Sequence, residues 1–179
     1  MRMMSLRIGD KAVPFNLPGV DNTTHSLAEY SSKNAVVVIF SCNHCPYVRA
    51  WEDRMIQIQT DYAASGVQLV VINANDAAKY PEDSFQNMKE RAKEGHFNFP
   101  YLRDESQTTA RAYGAERTPE VFLFDKERLL RYHGVIDDKY DDPSAVKTRY
   151  LRDALDSVLA GRQPVTTETR PVGCSIKWK

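Results

Sequence analysis

The length, composition and charge of the chain indicate one ordinary soluble domain and exclude two classes of partner. The 179 residues fit a single domain with a sizeable core, and 42% of them are hydrophobic. Lysine plus arginine and aspartate plus glutamate both count 24. No net field therefore attracts nucleic acid or an anionic membrane, and neither is expected as a partner.

The N-terminus and the cysteine count predict a cytoplasmic protein. Charged residues interrupt the first 13 residues, which excludes the apolar segment of a signal peptide. No apolar run reaches the roughly 18 residues of a membrane span. Three cysteines are too few for a disulfide-stapled secreted scaffold. In a reducing compartment a C-x-x-C motif is expected to be catalytic or metal-binding.

The first elements alternate between strand and helix. Two short β-branched apolar runs, 35–41 and 67–72, predict strands that are covered on both faces. Between them, apolar residues recur at steps of three and four, which predicts an amphipathic helix. Its buried stripe consists of Val48, Trp51, Met55, Ile58 and Tyr62.

Two further helices are predicted in the middle of the chain. The segment Pro81–Glu94 begins with a proline and is followed by Gly95. Proline is typical of the first position of a helix and glycine of the position after its end, so this segment is predicted to be a helix. Asp104 and Gln107 have the spacing of a capping box, and they predict a third helix that ends near Gly114.

The last third of the chain predicts a hairpin and a helix. Val121–Phe124 and Leu129–Val135 are predicted strands joined by a four-residue turn. Asp142 and Pro143 are predicted to cap a final helix that ends at Gly161. Its apolar stripe is Val146, Tyr150, Leu151, Ala154, Leu155 and Val158. This order of elements predicts an α/β fold around a mixed sheet.

The cysteine pair follows the first core strand and lies where the first helix is expected to begin. Unpaired backbone N–H groups and the positive end of the helix dipole meet at that point, and they stabilise a thiolate. We expect Cys45, three residues further on, to lie inside the first turn and to be the more buried of the two. Cys42 is therefore predicted to be the attacking thiol and Cys45 the resolving thiol.

Nearly the whole chain resembles thioredoxin-fold proteins of the branch that contains alkyl hydroperoxide reductase and thiol-specific antioxidant proteins. The motifs that carry the resemblance are Cys42-Asn43-His44-Cys45-Pro46 and Thr118-Pro119. The resemblance implies a thioredoxin-like fold with an N-terminal extension, residues 1–34. It also implies that Pro119 is cis and lies against the cysteines, that the backbone of Thr118 pairs with a substrate chain, and that Asn43 and Pro46 contribute to substrate binding.

The resemblance also bears on His44 and on the peroxiredoxin motif. His44 takes the place of the histidine in the C-G-H-C of protein disulfide isomerase, so it is expected to stabilise the thiolate and to make the disulfide more oxidising than that of thioredoxin. Peroxiredoxins instead need a proline and a hydroxyl residue seven and three positions before the reactive cysteine. Val38 and Cys42 precede Cys45 there, and Ala35 and Ile39 precede Cys42, so both alignments fail. A thiol-dependent peroxidase stays the alternative function.

Metal binding is a third and weaker hypothesis. Cys42, Cys45, His133 and Cys174 are the donors that zinc or copper would need, but only one C-x-x-C is present and the other ligands are remote. No metal is therefore predicted. The aspartates within 137–142 lack the glycine and glutamate of a calcium loop, and they are interpreted as a loop and a helix cap.

The end of the chain resembles the tail of a poorly characterised bacterial subgroup of the same branch. That subgroup is expected to have a cysteine just before the Thr-Pro, where this chain has Arg117. Cys174, Ile176 and Trp178 alternate with polar residues, which is the period of a strand. We predict that the C-terminal tail, residues 163–179, docks on the body with Cys174 facing inward, either as an inert thiol or as a third redox thiol.

Together these features predict a cytoplasmic thiol-disulfide oxidoreductase. Its partners are expected to be protein or small-molecule thiols and disulfides and an external thiol reductase system. No bound cofactor is required, because the two cysteines themselves carry the electrons.

Overall fold

The computed structural model describes residues 5–179, so the first four residues of the predicted N-terminal extension lie outside the described part of the chain. The strands are β1 (Asn16–Pro18), β2 (Thr24–Ser26), β3 (Ala35–Ser41), β4 (Val67–Asn73), β5 (Tyr101–Arg103), β6 (Arg117–Thr118), β7 (Glu120–Phe124), β8 (Leu130–Gly134) and β9 (Cys174–Ser175). The α-helices are α1 (Pro46–Tyr62), α2 (Phe85–Glu94), α3 (Thr108–Tyr113) and α4 (Tyr150–Leu159).

A five-stranded mixed sheet forms the centre of the molecule, in the order β5-β4-β3-β7-β8. The pairs β3–β4 and β4–β5 are parallel, whereas β7 is antiparallel to both β3 and β8. The middle strand, β3, is buried along its whole length, as its uninterrupted apolar run predicts. The predicted α/β thioredoxin-like fold with a mixed central sheet is confirmed.

Two apolar layers cover the two faces of this sheet. Because side chains alternate along β3, Val37 and Ile39 face one layer while Val36 and Val38 face the other. The first layer is formed by helices α1, α2 and α4. The second layer is formed by the N-terminal segment, helix α3 and the end of the tail, through residues that include Phe15, Leu27, Tyr30, Ala110, Tyr113 and Ile176.

Helix α2 and helix α4 begin later than predicted. Pro81–Asp83 is a separate 3-10 turn, and Ser84 is extended and caps α2 by accepting a hydrogen bond from the Asn87 amide at 3.1 Å. The Asp142 side chain accepts from an amide within the next turn, Pro143–Ala145, which is likewise a separate 3-10 turn. In both cases the residue after the 3-10 turn is extended, Ser84 with ψ of 157° and Val146 with ψ of 126°, so the turn does not continue into the helix.

The predicted capping box of α3 is also wrong. Gln107 adopts a left-handed conformation with φ of 65°, so it cannot reach back to Asp104 in the required way. The Asp104 carboxylate still caps the helix, by accepting from the amides of Thr109 and Ala110 at 3.4 and 2.8 Å. The Gln107 side chain instead donates to the carbonyl oxygen of Lys177 in the tail at 2.9 Å.

Three pairings were not predicted. Strand β5 is only three residues long and shows no alternation, yet it pairs with β4. The N-terminal segment forms the small hairpin β1–β2, and β6 pairs with β9 near the end of the chain. Within residues 5–179 no helix is both long and apolar enough to cross a membrane.

Candidate active site

The cysteine loop connects the end of β3 to the start of α1. Cys45 occupies the N-cap position of α1, with φ of −62° and ψ of 128°, and Pro46 is the first helical residue. The prediction that Cys42 lies at the helix start and Cys45 inside the first turn is therefore wrong. Pro46 has no N–H to leave unpaired and its φ suits the first helical position, so the helix begins there.

Both sulfur atoms lie against Thr118. The Cys42 sulfur is 3.5 Å from the Thr118 hydroxyl oxygen, and the Cys45 thiol, when protonated, donates to the Thr118 carbonyl oxygen at 3.4 Å. The Thr118–Pro119 peptide bond is cis, as the resemblance implies. Both cysteines are free thiols and equally buried, each 4% exposed, so the expected difference in burial is absent.

The pKa values of the two cysteine thiols are shifted in opposite directions. The pKa of Cys45 falls to about 4, chiefly because it accepts a hydrogen bond from Cys42; burial opposes this fall, and contacts with Cys174 and the Val48 amide add to it. The hydrogen bond to Cys45, burial and the charge of Asp83 all raise the pKa of the Cys42 thiol. This order is the reverse of the one expected from the sequence.

The titration of the reduced pair tests this arrangement. We expect one thiolate per chain to persist as the pH falls well below the ordinary thiol pKa of about 8.5, and to be lost as the pH approaches the lowered pKa. Thiolate absorbance near 240 nm should be measured on the Cys174→Ser variant, in which only the pair titrates. A first thiolate that appears only above about pH 8 would contradict the prediction.

His44 lies exposed between the cysteines. Among residues 5–179 no hydrogen bond or ion pair joins its ring to either sulfur, and His44 lines a surface cleft together with Arg49, Asn87 and Glu90. Stabilisation of the thiolate by His44 stays a prediction, and any such effect acts through solvent. Coulomb effects between exposed groups are weak.

The substitution His44→Ala should therefore move the pKa of the reactive thiol by less than about one unit. The same absorbance titration measures this shift. Since Arg49 is also exposed and cationic, Arg49→Ala provides a comparison for the loss of a charge on this surface. A shift of more than one unit for His44→Ala alone would establish a direct interaction with the sulfur.

Asn43 and Pro46 have different environments. Asn43 is only 1% exposed, and its side chain donates to the Glu82 carbonyl oxygen at 2.9 Å and accepts from the Tyr101 hydroxyl at 2.7 Å. Both of its polar ends are thus used to hold the loop, and its contribution to substrate binding stays a prediction. Pro46 is exposed beside the pair.

Asp83 is the residue of this site that the sequence analysis missed. Its buried carboxylate accepts from the Asn43 amide at 2.7 Å and from the side chains of Asn73 and Asn75 at 3.1 and 3.0 Å. It therefore ties the cysteine loop to the end of β4. A pattern within one segment could not indicate this role, because the three donors come from two other segments.

Replacing Asp83 with asparagine should lower the pKa of Cys42, because the negative charge that raises this pKa is removed. The Cys45→Ser/Cys174→Ser background leaves Cys42 as the remaining cysteine, so its thiolate absorbance can be followed directly. Glu82→Gln is the matched control, because it removes a negative charge from the neighbouring residue, whose side chain is half-exposed. An equal shift in both variants would contradict a specific interaction with Asp83.

A second buried carboxylate supports the loop before Thr118. Glu120 accepts from the amides of Glu116 and Arg117 at 3.0 and 2.9 Å, and it pairs with His133 at 2.7 Å. His133 is thus engaged away from the cysteines. Residues 5–179 contain no group of three or more histidine, cysteine, aspartate or glutamate side chains arranged for a metal ion, so the ligand set considered from the sequence is not assembled.

Cys174 does lie beside the pair. It belongs to β9, which is antiparallel to β6 with Cys174 opposite Thr118. The half-buried Cys174 packs against the cluster of Cys42, Cys45 and Val48. The fold therefore brings all three cysteines of the chain together, although the third is far from the others in sequence.

A C-x-x-C loop between a central strand and a helix, facing a cis proline on a mixed sheet, defines a thioredoxin-like protein. The model of the AhpC/TSA family matches residues 8–133, and the chain belongs to this family. The curated protein "Thiol-disulfide oxidoreductase ResA" of Halalkalibacterium halodurans is 27% identical over 128 residues, which are 71% of this chain and 68% of that protein.

Solved structures agree with the fold. A hypothetical protein from Sinorhizobium meliloti has a TM-score of 0.92 and 38% identity, covering 99% of this chain and 98% of its own. An uncharacterized conserved protein from Geobacillus kaustophilus also has a TM-score of 0.92, with 40% identity over 100% of this chain and 96% of its own. A putative thiol:disulfide interchange protein DsbE from Chlorobium tepidum has a TM-score of 0.68 and 25% identity, covering 88% and 98%.

Proposed function

We propose that the protein is a thiol-disulfide oxidoreductase with Cys42 and Cys45 as its redox pair. The observation that carries the proposal is the contact of both sulfurs with Thr118, next to the cis proline. Membership of the AhpC/TSA family and the relationship to a curated thiol-disulfide oxidoreductase support it.

The reaction is a two-step exchange. The Cys42 thiolate attacks a substrate disulfide, a mixed disulfide forms on Cys42, and one substrate thiol leaves. The Cys45 thiolate then attacks the Cys42 sulfur, which releases the second substrate thiol and leaves a Cys42–Cys45 disulfide. An external thiol reductase returns the two electrons.

The lowered pKa of Cys45 fits its resolving role and requires a proton shift in the first step. The hydrogen bond between the sulfurs lets Cys42 pass its proton to Cys45 as it attacks. Cys45 also has a hydrogen bond with Cys174, whereas Cys42 is next to the Thr118 hydroxyl. Once the mixed disulfide has formed on Cys42, Cys45 gives its proton to the substrate thiolate that has left, and the Cys45 thiolate then resolves the complex.

Among the residues expected to bind substrate, Pro46 is exposed beside the pair, with the exposed His44 next to it, whereas Thr118 and Pro119 are buried and Thr118 pairs with Cys174 of the tail. The proposed substrates are protein or small-molecule disulfides. No bound cofactor takes part in the exchange. A reducing cytoplasm, in which an external thiol system keeps the pair reduced, is the proposed location.

Turnover assays test the proposal. The wild-type protein should reduce insulin disulfides with dithiothreitol as reductant, and its reduction potential should lie above the approximately −270 mV of thioredoxin, because the lowered thiolate pKa stabilises the reduced form. Cys42→Ser should abolish insulin reduction. Rapid hydrogen peroxide turnover that survives Cys42→Ser but not Cys45→Ser would replace the proposal with the alternative, a thiol-dependent peroxidase.

A further inference from the structure

The end of the tail forms a strand at the active site. β9 is antiparallel to β6, with Cys174 opposite Thr118 and Ser175 opposite Arg117. Extended segments are commonly recognised by pairing with an exposed strand edge. The chain's own Cys174 is therefore held, in extended conformation, at the backbone of the residue that both other sulfurs contact.

Gly173 allows this close approach. A Cβ atom at this position would lie 2.0 Å from the Thr118 carbonyl oxygen and 2.7 Å from its carbonyl carbon. Real Cβ atoms do not come so close to backbone, so any larger residue forces the tail away from Thr118. The packing of the tail at the pair thus depends on a glycine immediately before the cysteine.

The residues after Cys174 hold the strand in place. The Ile176 amide donates to the Glu116 carbonyl oxygen at 2.9 Å, and the Ile176 side chain is buried in the core. The Lys177 amide donates to the Asn75 side chain at 2.9 Å, and its carbonyl oxygen accepts from the Asp76 amide at 2.8 Å. These contacts position the thiol and do not merely cover the site.

The thiol of Cys174 interacts with Cys45 in particular. Burial, followed by the hydrogen bond and the negative charge of Cys45, raises the pKa of Cys174 to about 11, while Lys177 and Arg117 lower it. When Cys45 is part of a disulfide it carries no charge, so part of this rise disappears. Oxidation of the pair therefore makes the Cys174 thiolate easier to form.

We propose that Cys174 is a third exchange thiol, which takes over the disulfide from the Cys42–Cys45 pair by bonding to Cys45; this role rests on the proposed redox function. The Cys174 thiolate attacks the Cys45 sulfur, the Cys42–Cys45 bond breaks, and a Cys45–Cys174 bond forms. Cys42 leaves as a thiolate and takes up the proton that Cys174 lost. The step is an internal exchange, so it needs no oxidant or reductant.

This exchange moves the disulfide from Cys42–Cys45 to Cys45–Cys174. Cys42 and Cys45 are buried, but Cys174 is half-buried and belongs to the tail. A Cys45–Cys174 disulfide is therefore more open to an external reductant than the original bond. Cys42 returns to the thiol state, and the disulfide then includes the less buried Cys174.

Disulfide mapping tests this proposal. The full-length Cys42→Ser variant should be oxidised with diamide, alkylated with N-ethylmaleimide in acid, and digested for mass spectrometry. We expect an intramolecular Cys45–Cys174 disulfide in most chains. In the oxidised wild-type protein both the Cys42–Cys45 and the Cys45–Cys174 disulfides should be present.

Two control variants test whether the disulfide with Cys45 depends on the position of the Cys174 thiol and not only on the presence of a second cysteine. Cys42→Ser/Cys174→Ser/Ser175→Cys moves the thiol by one residue to the opposite side of the strand, and it should reduce the yield of the disulfide with Cys45 at least tenfold. Gly173→Val, added to Cys42→Ser, should also reduce it at least tenfold because the tail can no longer lie against Thr118. Equal yields in these variants would overturn the proposal.

The outcomes distinguish failure of the proposed role of Cys174 from failure of the proposed redox function of Cys42 and Cys45. Cys174 that remains fully alkylated in the oxidised Cys42→Ser variant overturns the role of the third thiol, even if the wild-type protein forms Cys42–Cys45 and reduces insulin. A wild-type protein that forms Cys45–Cys174 but never Cys42–Cys45, and does not reduce insulin, overturns the proposed function and, with it, the exchange between the two disulfides.

Discussion

Cys45→Ser should trap the enzyme on its substrate as a mixed disulfide at Cys42, because the resolving thiol is missing. Turnover of insulin disulfides should fall by more than about a thousandfold, since removal of one member of a catalytic unit leaves only slow background exchange. The experiment should use the Cys174→Ser background, so that Cys174 cannot replace Cys45. The covalent complex should be visible on a non-reducing gel and should disappear with dithiothreitol.

Cys42→Ser in the same background is the matched control. It should lose turnover to the same extent without accumulating a complex, because the attacking sulfur is absent. The opposite pattern, with a complex on Cys45 in the Cys42→Ser variant and none in the Cys45→Ser variant, would reverse the two roles. That pattern would mean that the lower pKa of Cys45 decides which sulfur attacks the substrate.

The second large effect is expected for Asp137→Ala, which should reduce the free energy of unfolding by about 3 kcal/mol. The Asp137 carboxylate, only 5% exposed, accepts from the Trp51 indole N–H at 3.0 Å and from Arg54 at 2.8 and 2.7 Å. Removing one partner of a buried ion pair leaves the other charge and its donors unpaired, which typically costs about 3–5 kcal/mol. Arg54 keeps a carbonyl acceptor on Lys139, so the lower end is expected.

Urea denaturation monitored by circular dichroism measures this loss. Asp141→Ala is the matched control: it removes an aspartate from the same loop, but its ion pair with Lys139 is exposed and 3.4 Å long. We expect this control to change stability by less than about 0.5 kcal/mol. If the two variants lost stability equally, the buried network around Asp137 would not anchor α1 to this loop.

The elements around the active site could be predicted because each depends on a pattern within one segment. The apolar run of β3, the spacing of Trp51 and Met55 on α1, and the C-x-x-C between them all lie within about 30 consecutive residues. Strand and helix periods require nothing more than neighbouring residues. The resemblance added the cis proline, which the dipeptide Thr118-Pro119 does not indicate without it.

The same local patterns misplaced three helix starts. The aspartates 104 and 142 and Ser84 are all good capping residues, but capping needs a particular backbone conformation as well as a residue type. The left-handed Gln107 and the extended Ser84 supply conformations that composition does not specify. Asp137, interpreted as one of several loop aspartates, is distinguished from Asp141 only by what packs around it.

Strand and helix identity, the mixed sheet and the cysteine motif follow from the order of residues along the chain, because short-range sterics and hydrophobic periodicity control them. The proximity of Asp83 to Cys42 and of Cys174 to Cys45 depends instead on how distant segments pack. The pairing of β9 with β6 brings residues 118 and 174 together, and neither strand is long enough to show a pattern alone. Tertiary packing therefore decides that a buried aspartate and a third thiol join the pair.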